Sequence, residues 1–194
     1  TLYSLDVSTQ GGPGNDVRVR VEYRGVDYVQ TAPYLFGSES EVELTPLPAA
    51  GDAFLNWDEY LSGAEAPDKV VMDDNKSVTA VFAPAKTLTI LKQGQGDVAI
   101  MRADGGPVHA LGNGQYALPE GAEILLSIFP AIGWGFLYWD LNPLPEILEK
   151  DRTNPLPITM NDDITITARF MPEIHSADTN VLPHNKTNVI ELSE

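Results

Sequence analysis

The 194-residue chain contains no cysteine. Its sequence therefore excludes disulfide bonds, thiolate metal sites and a cysteine nucleophile. Positive charge is also scarce, because 12 Lys and Arg residues stand against 28 Asp and Glu residues and leave a formal net charge of −16. A surface of that sign repels nucleic acid and anionic lipid, so we expect neither as a partner.

Long apolar runs are missing as well. The most apolar stretch, residues 124–139, approaches the shortest length that spans a bilayer, but Pro130, Gly133 and Gly135 interrupt it. We therefore expect no membrane span. The chain begins at Thr1 rather than at Met, which we interpret as a processed or truncated product, and we expect that a leader segment was removed.

What the sequence does contain is an internal repeat. Identical residues occur in the same order when residues 41–58 are aligned with 123–140, and residues 72–84 with 160–172. Self-similarity over such lengths is the mark of a tandem repeat. We therefore predict three parts: a first unit at residues 1–84, a second unit at 85–172 and a tail at 173–194.

The residue pattern within each unit is typical of β-strands. Residues 17–23 alternate apolar with charged side chains, which predicts a strand with one buried and one solvated face. Val78–Phe82 and Ile164–Phe170 predict closing strands, and we expect these to end at Pro84 and Pro172 because proline lacks the amide donor. The expected fold is mostly β with little helix.

Both units carry one motif, which resembles a known family. The motif residues of the two copies are Gly51, Phe54, Trp57, Met72 and Asp74, then Gly133, Phe136, Trp139, Met160 and Asp162. They resemble the divergent internalin-B-type B-repeat family. The resemblance implies two tandem β-grasp-like or β-sandwich-like domains, followed by the extended tail. It also implies an extracellular or cell-surface location in a bacterium or archaeon, and no catalytic role.

Pairs of acidic residues precede each closing strand and are the candidate metal ligands. Asp73 and Asp74 occupy this place in the first unit, and Asp162 and Asp163 in the second. Their oxygens suit Ca²⁺, which takes six to eight oxygen ligands. Asp also serves simply as a turn residue, and we favour that interpretation. We expect no cofactor.

Aromatic residues offer a second kind of candidate site. Trp57 and Trp139 recur at equivalent positions, so we expect each to anchor the core of its unit. Trp134 and Tyr138 have no aromatic counterpart in the first unit and are the candidates for stacking on a glycan. For Trp134 we favour burial or a contact between domains.

Arg18, Arg20 and Arg24 form a basic stripe in an otherwise acidic unit. One interpretation is a solvated strand face that also discourages edge aggregation. The other is a patch complementary to an acidic neighbour, which includes a second copy of the chain.

The tail has no counterpart in the repeat. Within it, Val189, Ile190 and Leu192 lie in a short strand-like segment. Such a segment can add to an exposed sheet edge, either of its own chain or of a neighbouring molecule. If the edge belongs to the next subunit, the contact repeats and generates a filament.

Two functional hypotheses follow. The first is a non-catalytic extracellular structural protein, more specifically a subunit of a surface fibre joined by strand addition at the tail. The alternative is a carbohydrate-binding or adhesion module of a larger secreted surface protein. The expected partners are accordingly a second copy of the chain, another surface protein or a glycan.

Overall fold

The computed structural model describes residues 1–142 and 151–173. These residues form strands and no helix, which confirms the mostly β prediction. Within the same ranges, no helix meets the length and apolarity needed to cross a bilayer. The strands are β1 (Leu2–Gln10), β2 (Asp16–Tyr23), β3 (Val26–Gln30), β4 (Tyr34–Gly37), β5 (Ser40–Leu47), β6 (Asp52–Glu59), β7 (Asp68–Met72), β8 (Lys76–Gln93), β9 (Gly96–Arg102), β10 (His109–Gly112), β11 (Gln115–Pro119), β12 (Glu123–Pro130), β13 (Trp134–Asn142), β14 (Leu156–Thr159) and β15 (Ile164–Pro172).

The first unit is a sandwich of two sheets. One sheet has the order β4-β1-β8-β6, in which β1 and β8 are parallel and the other pairs are antiparallel. The other sheet is antiparallel, with the order β3-β2-β5-β7. Apolar residues alternate along the strands of both sheets and meet in a single core. Its largest members include Leu5, Val19, Phe36, Leu44, Phe54, Trp57, Met72 and Phe82.

The second unit repeats this arrangement with its own core. Its larger sheet places β10-β11 on one side of β8 and β15-β13 on the other, and β8 and β15 are parallel. Its smaller sheet has the order β14-β12-β9. The core residues include Leu88, Leu118, Ile124, Leu126, Trp139, Met160, Ile166 and Phe170.

Trp57 and Trp139 anchor the two cores, as predicted from their recurrence. Each indole is 1% exposed. The Nε1 atom of Trp57 donates a hydrogen bond to the Glu65 carbonyl at 2.8 Å, and that of Trp139 donates to the Thr153 carbonyl at 2.9 Å. The polar atom of each buried ring is therefore satisfied, as burial requires.

Strand β8 belongs to both units, which corrects the prediction that the closing strand ends at Pro84. The strand continues from Lys76 to Gln93. Proline is tolerated because β8 changes partners there: its ladder with β6 ends at Pro84, and its ladder with β11 begins at Ala85. The carbonyl of Pro84 still accepts a hydrogen bond from the amide of Glu120 at 2.8 Å. The predicted boundary between residues 84 and 85 thus falls inside a continuous strand.

Candidate functional site

The arginines of β2 lie on the outer face of the smaller sheet in the first unit. Val17 and Val19 are buried, so the alternating residues Arg18 and Arg20 face outwards. Arg20 bridges the neighbouring strands, with 2.6 Å to Asp27 on β3 and 2.8 Å to Glu43 on β5. The hydrogen bond to Glu43 raises the pKa of Arg20 more than desolvation lowers it.

Arg24 lies outside this face, so the predicted stripe is shorter than expected. It occupies the two-residue turn between β2 and β3, with φ of 54°, and Gly25 follows with φ of 75°. Two successive positive φ values are what a type I′ hairpin turn requires. The guanidinium of Arg24 lies 5.1 Å from the ring centroid of Tyr23, which places the charge at the hairpin tip.

The same hairpin exposes an apolar face that the residue pattern did not predict. Tyr23, Val26 and Tyr28 share one side of the sheet and are 59%, 51% and 47% exposed, and Val29 on the other side is 64% exposed. The alternation in β2 predicted that one face of that strand is buried. It does not predict whether the same face of β3 is buried, because that depends on whether the opposite sheet covers β3. Concentrated exposure of this kind marks an interaction site more often than scattered single residues do.

The aromatic candidates of the second unit do not form one platform. Trp134 is half-buried and packs against the second core. Tyr138 lies next to Arg169, whose guanidinium is 5.6 Å from the ring centroid. A bulge between Phe136 and Tyr138 in β13 keeps Phe136 and Trp139 on the core side. The two candidate rings are therefore not arranged side by side for stacking on a sugar.

The acidic turns of both units make hydrogen bonds to the protein. Asp73 forms an ion pair of 2.6 Å with Lys76, and Asp74 accepts a hydrogen bond from the amide of Asn75. Asp163 accepts one from the amide of Thr87 at 2.7 Å, while Asp162 is exposed. In residues 1–142 and 151–173, no three His, Asp or Glu side chains cluster as metal ligands would. The calcium hypothesis gains no support from these contacts.

A buried arginine joins the two units. Arg102, at the end of β9 in the second unit, is 1% exposed. Its guanidinium donates hydrogen bonds of 2.8 Å to the carbonyls of Phe54 and Leu55 in the first unit. Those carbonyls lie at the bulge of β6, where the ladder with β8 is interrupted. A bulge leaves an unpaired residue, and here the arginine of the next unit supplies the missing donors.

Asp104 completes the contact by neutralising Arg102. Its carboxylate lies 2.6 Å from Nη2 of Arg102 and also accepts a hydrogen bond from the amide of Gly106. Burial raises the pKa of Asp104, but the hydrogen bonds from Arg102 and Gly106 outweigh burial and hold the net pKa below its ordinary value. No sequence pattern predicted this contact, since it depends on how one unit sits on the other.

A groove of about 540 Å³ lies beside this junction. Residues of the first unit line one side and residues of the second unit line the other, and most of the lining is apolar. Among the described residues, Asp52 is the one carboxylate in the lining, and its Oδ2 accepts a hydrogen bond from the side-chain amide of Asn15 at 2.7 Å. Glycoside hydrolysis by the usual route needs two carboxyl groups, and the described lining supplies one.

The tail candidates Val189, Ile190 and Leu192 lie outside the described residues. Their predicted role in strand addition stays a prediction.

Tandem units with matching cores define a class of repeat protein, and comparison with known families identifies which one. A family model for the divergent InlB B-repeat domain matches residues 28–86 and 97–174. The matches cover well over half of the chain and fall one in each unit. The chain belongs to this family and contains two tandem copies, as the motif predicted.

Comparison with solved structures gives weaker likenesses. The chain is similar to a C-terminal fragment of the pilus adhesin SpaC from Lactobacillus rhamnosus GG, with TM-score 0.30, 11% identity, and coverage of 94% of this chain and 100% of that one. It is also similar to the major pilin protein T-13 from Streptococcus pyogenes serotype GAS131465, with TM-score 0.36, 11% identity, and coverage of 89% and 97%. Scores this low carry no argument about function. No curated protein matches the chain.

Proposed function

We propose that this chain is a non-catalytic structural module of a bacterial or archaeal surface protein, in which two B-repeat units act as a stiff spacer. The observation that carries the proposal is the junction between the units, where β8 (Lys76–Gln93) is shared and no linker separates the two cores. Membership of the B-repeat family supports the surface location and the structural role.

The junction resists bending for two reasons. Strand β8 pairs with β1 and β6 before Pro84 and with β11 and β15 after Ala85, so any kink there strains ladders on both sides. Arg102 adds buried hydrogen bonds across the boundary, and their loss would leave carbonyl groups unsatisfied at a cost of roughly 1–3 kcal/mol each. Domains joined by flexible linkers have neither restraint.

Distance measurements between spin labels test the stiffness. Leu35 on β4 and Leu111 on β10 are exposed and lie in different units, and the chain has no native cysteine to interfere with labelling. The double variant Leu35→Cys, Leu111→Cys should give one narrow distance distribution by pulsed electron resonance. Adding Arg102→Ala should broaden it, whereas adding Arg18→Ala should leave it narrow. A broad distribution in the chain that keeps Arg102 would contradict the spacer proposal.

Within this structural class, we further propose that the tail joins copies into a fibre by strand addition. Support comes from the short strand-like segment that contains Val189, Ile190 and Leu192, and from the free sheet edges that both units present. Light scattering of the full chain and of a chain ending at Glu173 tests this idea. Large assemblies that collapse when residues 174–194 are removed support it. Identical masses for the two chains at high concentration would sink it.

A further inference from the structure

Strand β3 is an edge strand that the rest of its unit leaves uncovered. It pairs with β2 on one side and has no strand on the other in the described part of the chain. Val26 and Tyr28 continue the side of the sheet on which Val21 packs against the first core, yet both are exposed. Tyr23, at the end of β2, extends the same apolar face, since it pairs directly with Val26 on β3.

Most other edge strands in the described residues carry features that normally prevent pairing with a second chain. Strands β6, β10 and β13 contain bulges, β7 carries Lys69, β14 carries Pro157, and β4 is only four residues long. Strand β9 lacks these features but carries two charged residues, Asp97 and Arg102. Strand β3 has a regular register with β2 and contains no Pro, Lys or bulge. Its single charge, Asp27, is neutralised by Arg20 at 2.6 Å. The usual protection of an edge is therefore missing here.

The register of the hairpin decides which backbone groups are free. The two-residue turn makes Tyr23 and Val26 a hydrogen-bonded pair, and such pairs alternate along an antiparallel ladder. Tyr28 is therefore also hydrogen-bonded to β2, whereas Asp27 and Val29 direct their amides and carbonyls outwards. Any added strand must bond to these two residues.

We propose that two copies of this chain associate through antiparallel pairing of β3 with β3, about a two-fold axis at Tyr28. In this register Asp27 faces Val29 of the second copy, Val26 faces Gln30, and Tyr28 faces its own counterpart. All five residues of β3 pair, and the outward groups of Asp27 and Val29 form four hydrogen bonds. A shift that centres the axis on Asp27 would bring two carboxylates together, and like charges directly opposite destabilise a sheet.

The choice of a second copy as the occupant rests on this self-complementarity. The pairing is isologous, so one strand supplies both halves and the interface closes as a dimer. It also joins the Tyr23, Val26 and Tyr28 faces of two molecules into one apolar surface. The chain carries a net charge of −16, which opposes association, but Arg18, Arg20 and Arg24 balance Asp16, Glu22 and Asp27 and leave the hairpin neutral. Added salt should therefore strengthen the dimer by screening the remaining repulsion.

Engineered cysteines test the register, because the chain has none of its own. In the proposed pairing, Tyr28 and its counterpart form a non-hydrogen-bonded pair with Cα atoms about 4.5 Å apart, within the range that a disulfide bridges. Tyr28→Cys in the full chain should therefore give a disulfide-linked dimer under mild oxidation. The matched control is Val26→Cys on the same strand, whose Cα atoms would lie about 14 Å apart and should not crosslink. Equal crosslinking of both variants, or of neither, would overturn the proposal.

Sedimentation of the unmodified full chain gives an independent readout. It should show a monomer–dimer equilibrium, and Val29→Pro should weaken the dimer by about tenfold or more, because each copy loses an outward amide donor. Leu111→Pro, at the edge strand of the second unit, is the matched control and should leave the dimer constant unchanged. A wild-type chain that stays monomeric would overturn the proposal. So would a dimer that Val29→Pro leaves intact, as expected if the tail joined the copies at another edge.

Discussion

The two units have the same core but differ in the strands and contacts around it. Each encloses a tryptophan, a phenylalanine and a methionine at equivalent positions, and each places a parallel strand pair beside its closing strand. The clearest difference is the place of one equivalent strand, β3 in the first unit and β10 in the second. In the first unit β3 joins the smaller sheet, whereas in the second unit β10 joins the larger one. The units therefore agree in most residues of the core and differ more where strands have a free edge.

Two further differences concern single residues. Arg102 on β9 of the second unit is equivalent to Val21 on β2 of the first. The equivalence follows from their strand partners, which are Ile124 for Arg102 and Val42 for Val21. The position of Lys76 at the start of β8, parallel to Leu5, corresponds to Ile164 on β15, parallel to Leu88. One difference lets the second unit contact the first. The other places a buried cation where its counterpart is apolar.

The largest expected effect comes from the tryptophans that the units share. Trp57→Ala and Trp139→Ala should each destabilise the mutated unit by about 3–5 kcal/mol, because a buried indole is replaced by a cavity. Chemical denaturation followed by NMR of both units would show whether the loss spreads. We expect the unmutated unit to lose stability as well, since β8 is common to both. If the unmutated unit unfolds at the same denaturant concentration as in the wild-type chain, the two units do not stabilise each other through β8.

The junction arginine ranks next. Arg102→Ala should cost about 2–3 kcal/mol, because the carbonyls of Phe54 and Leu55 lose buried donors. Arg18→Ala removes an exposed arginine from the corresponding sheet of the first unit and should change the free energy of unfolding by less than about 0.5 kcal/mol. Denaturant titrations measure both. Equal effects of the two substitutions would refute the role assigned to Arg102.

Acid should weaken the junction through Asp104. Its pKa is lowered in the folded chain, so its contribution is fully present above the ordinary aspartate pKa of about 4 and is lost as the pH falls through the folded value. The spin-label distribution across the units should therefore broaden below about pH 4. Asp104→Asn should abolish this pH dependence. A distribution that broadens equally in the variant would assign the effect to other carboxylates.

The smallest effect concerns Lys76, whose counterpart in the second unit is Ile164. Lys76 is 8% exposed. Its ammonium donates a hydrogen bond to the Val71 carbonyl at 2.6 Å and lies 3.7 Å from the Tyr60 ring centroid. Asp73, the ion-pair partner of Lys76, is exposed and stays solvated, so replacing the lysine alone by an apolar side chain of similar volume leaves no charge buried without a partner. Lys76→Met should therefore shift the free energy of unfolding by less than about 1 kcal/mol. A loss above about 2 kcal/mol would show that the cation itself is required.

The sequence pattern correctly predicted several features of the fold. Alternation in residues 17–23 located β2, and recurrence located Trp57 and Trp139 in the cores. The expected end of the closing strand at Pro84 was wrong, because a proline can sit where a strand exchanges one partner for another. A proline in the sequence shows that one backbone amide donor is missing. Whether the sheet needs that donor depends on the neighbouring strands.

The candidate interaction residues were harder to place. Arg18 and Arg20 share a face as their spacing required, but Arg24 falls in the turn. The exposed face of Tyr23, Val26 and Tyr28 was not foreseen, because its composition is that of any half-buried strand. Exposure there depends on how the two sheets pack, which the pattern of a single strand does not encode.

The amino-acid sequence by itself determined the duplication and the residues that form each core, because these follow from periodicity and from identities that recur within one chain, and its motif indicated the family by resemblance. Tertiary structure alone decided that the units share β8, that Arg102 reaches the bulge of β6, and that β3 is left uncovered. The physical reason is the same in all three cases. A local pattern specifies which side chains need burial, whereas the partner of a free carbonyl or a free edge lies far away in sequence.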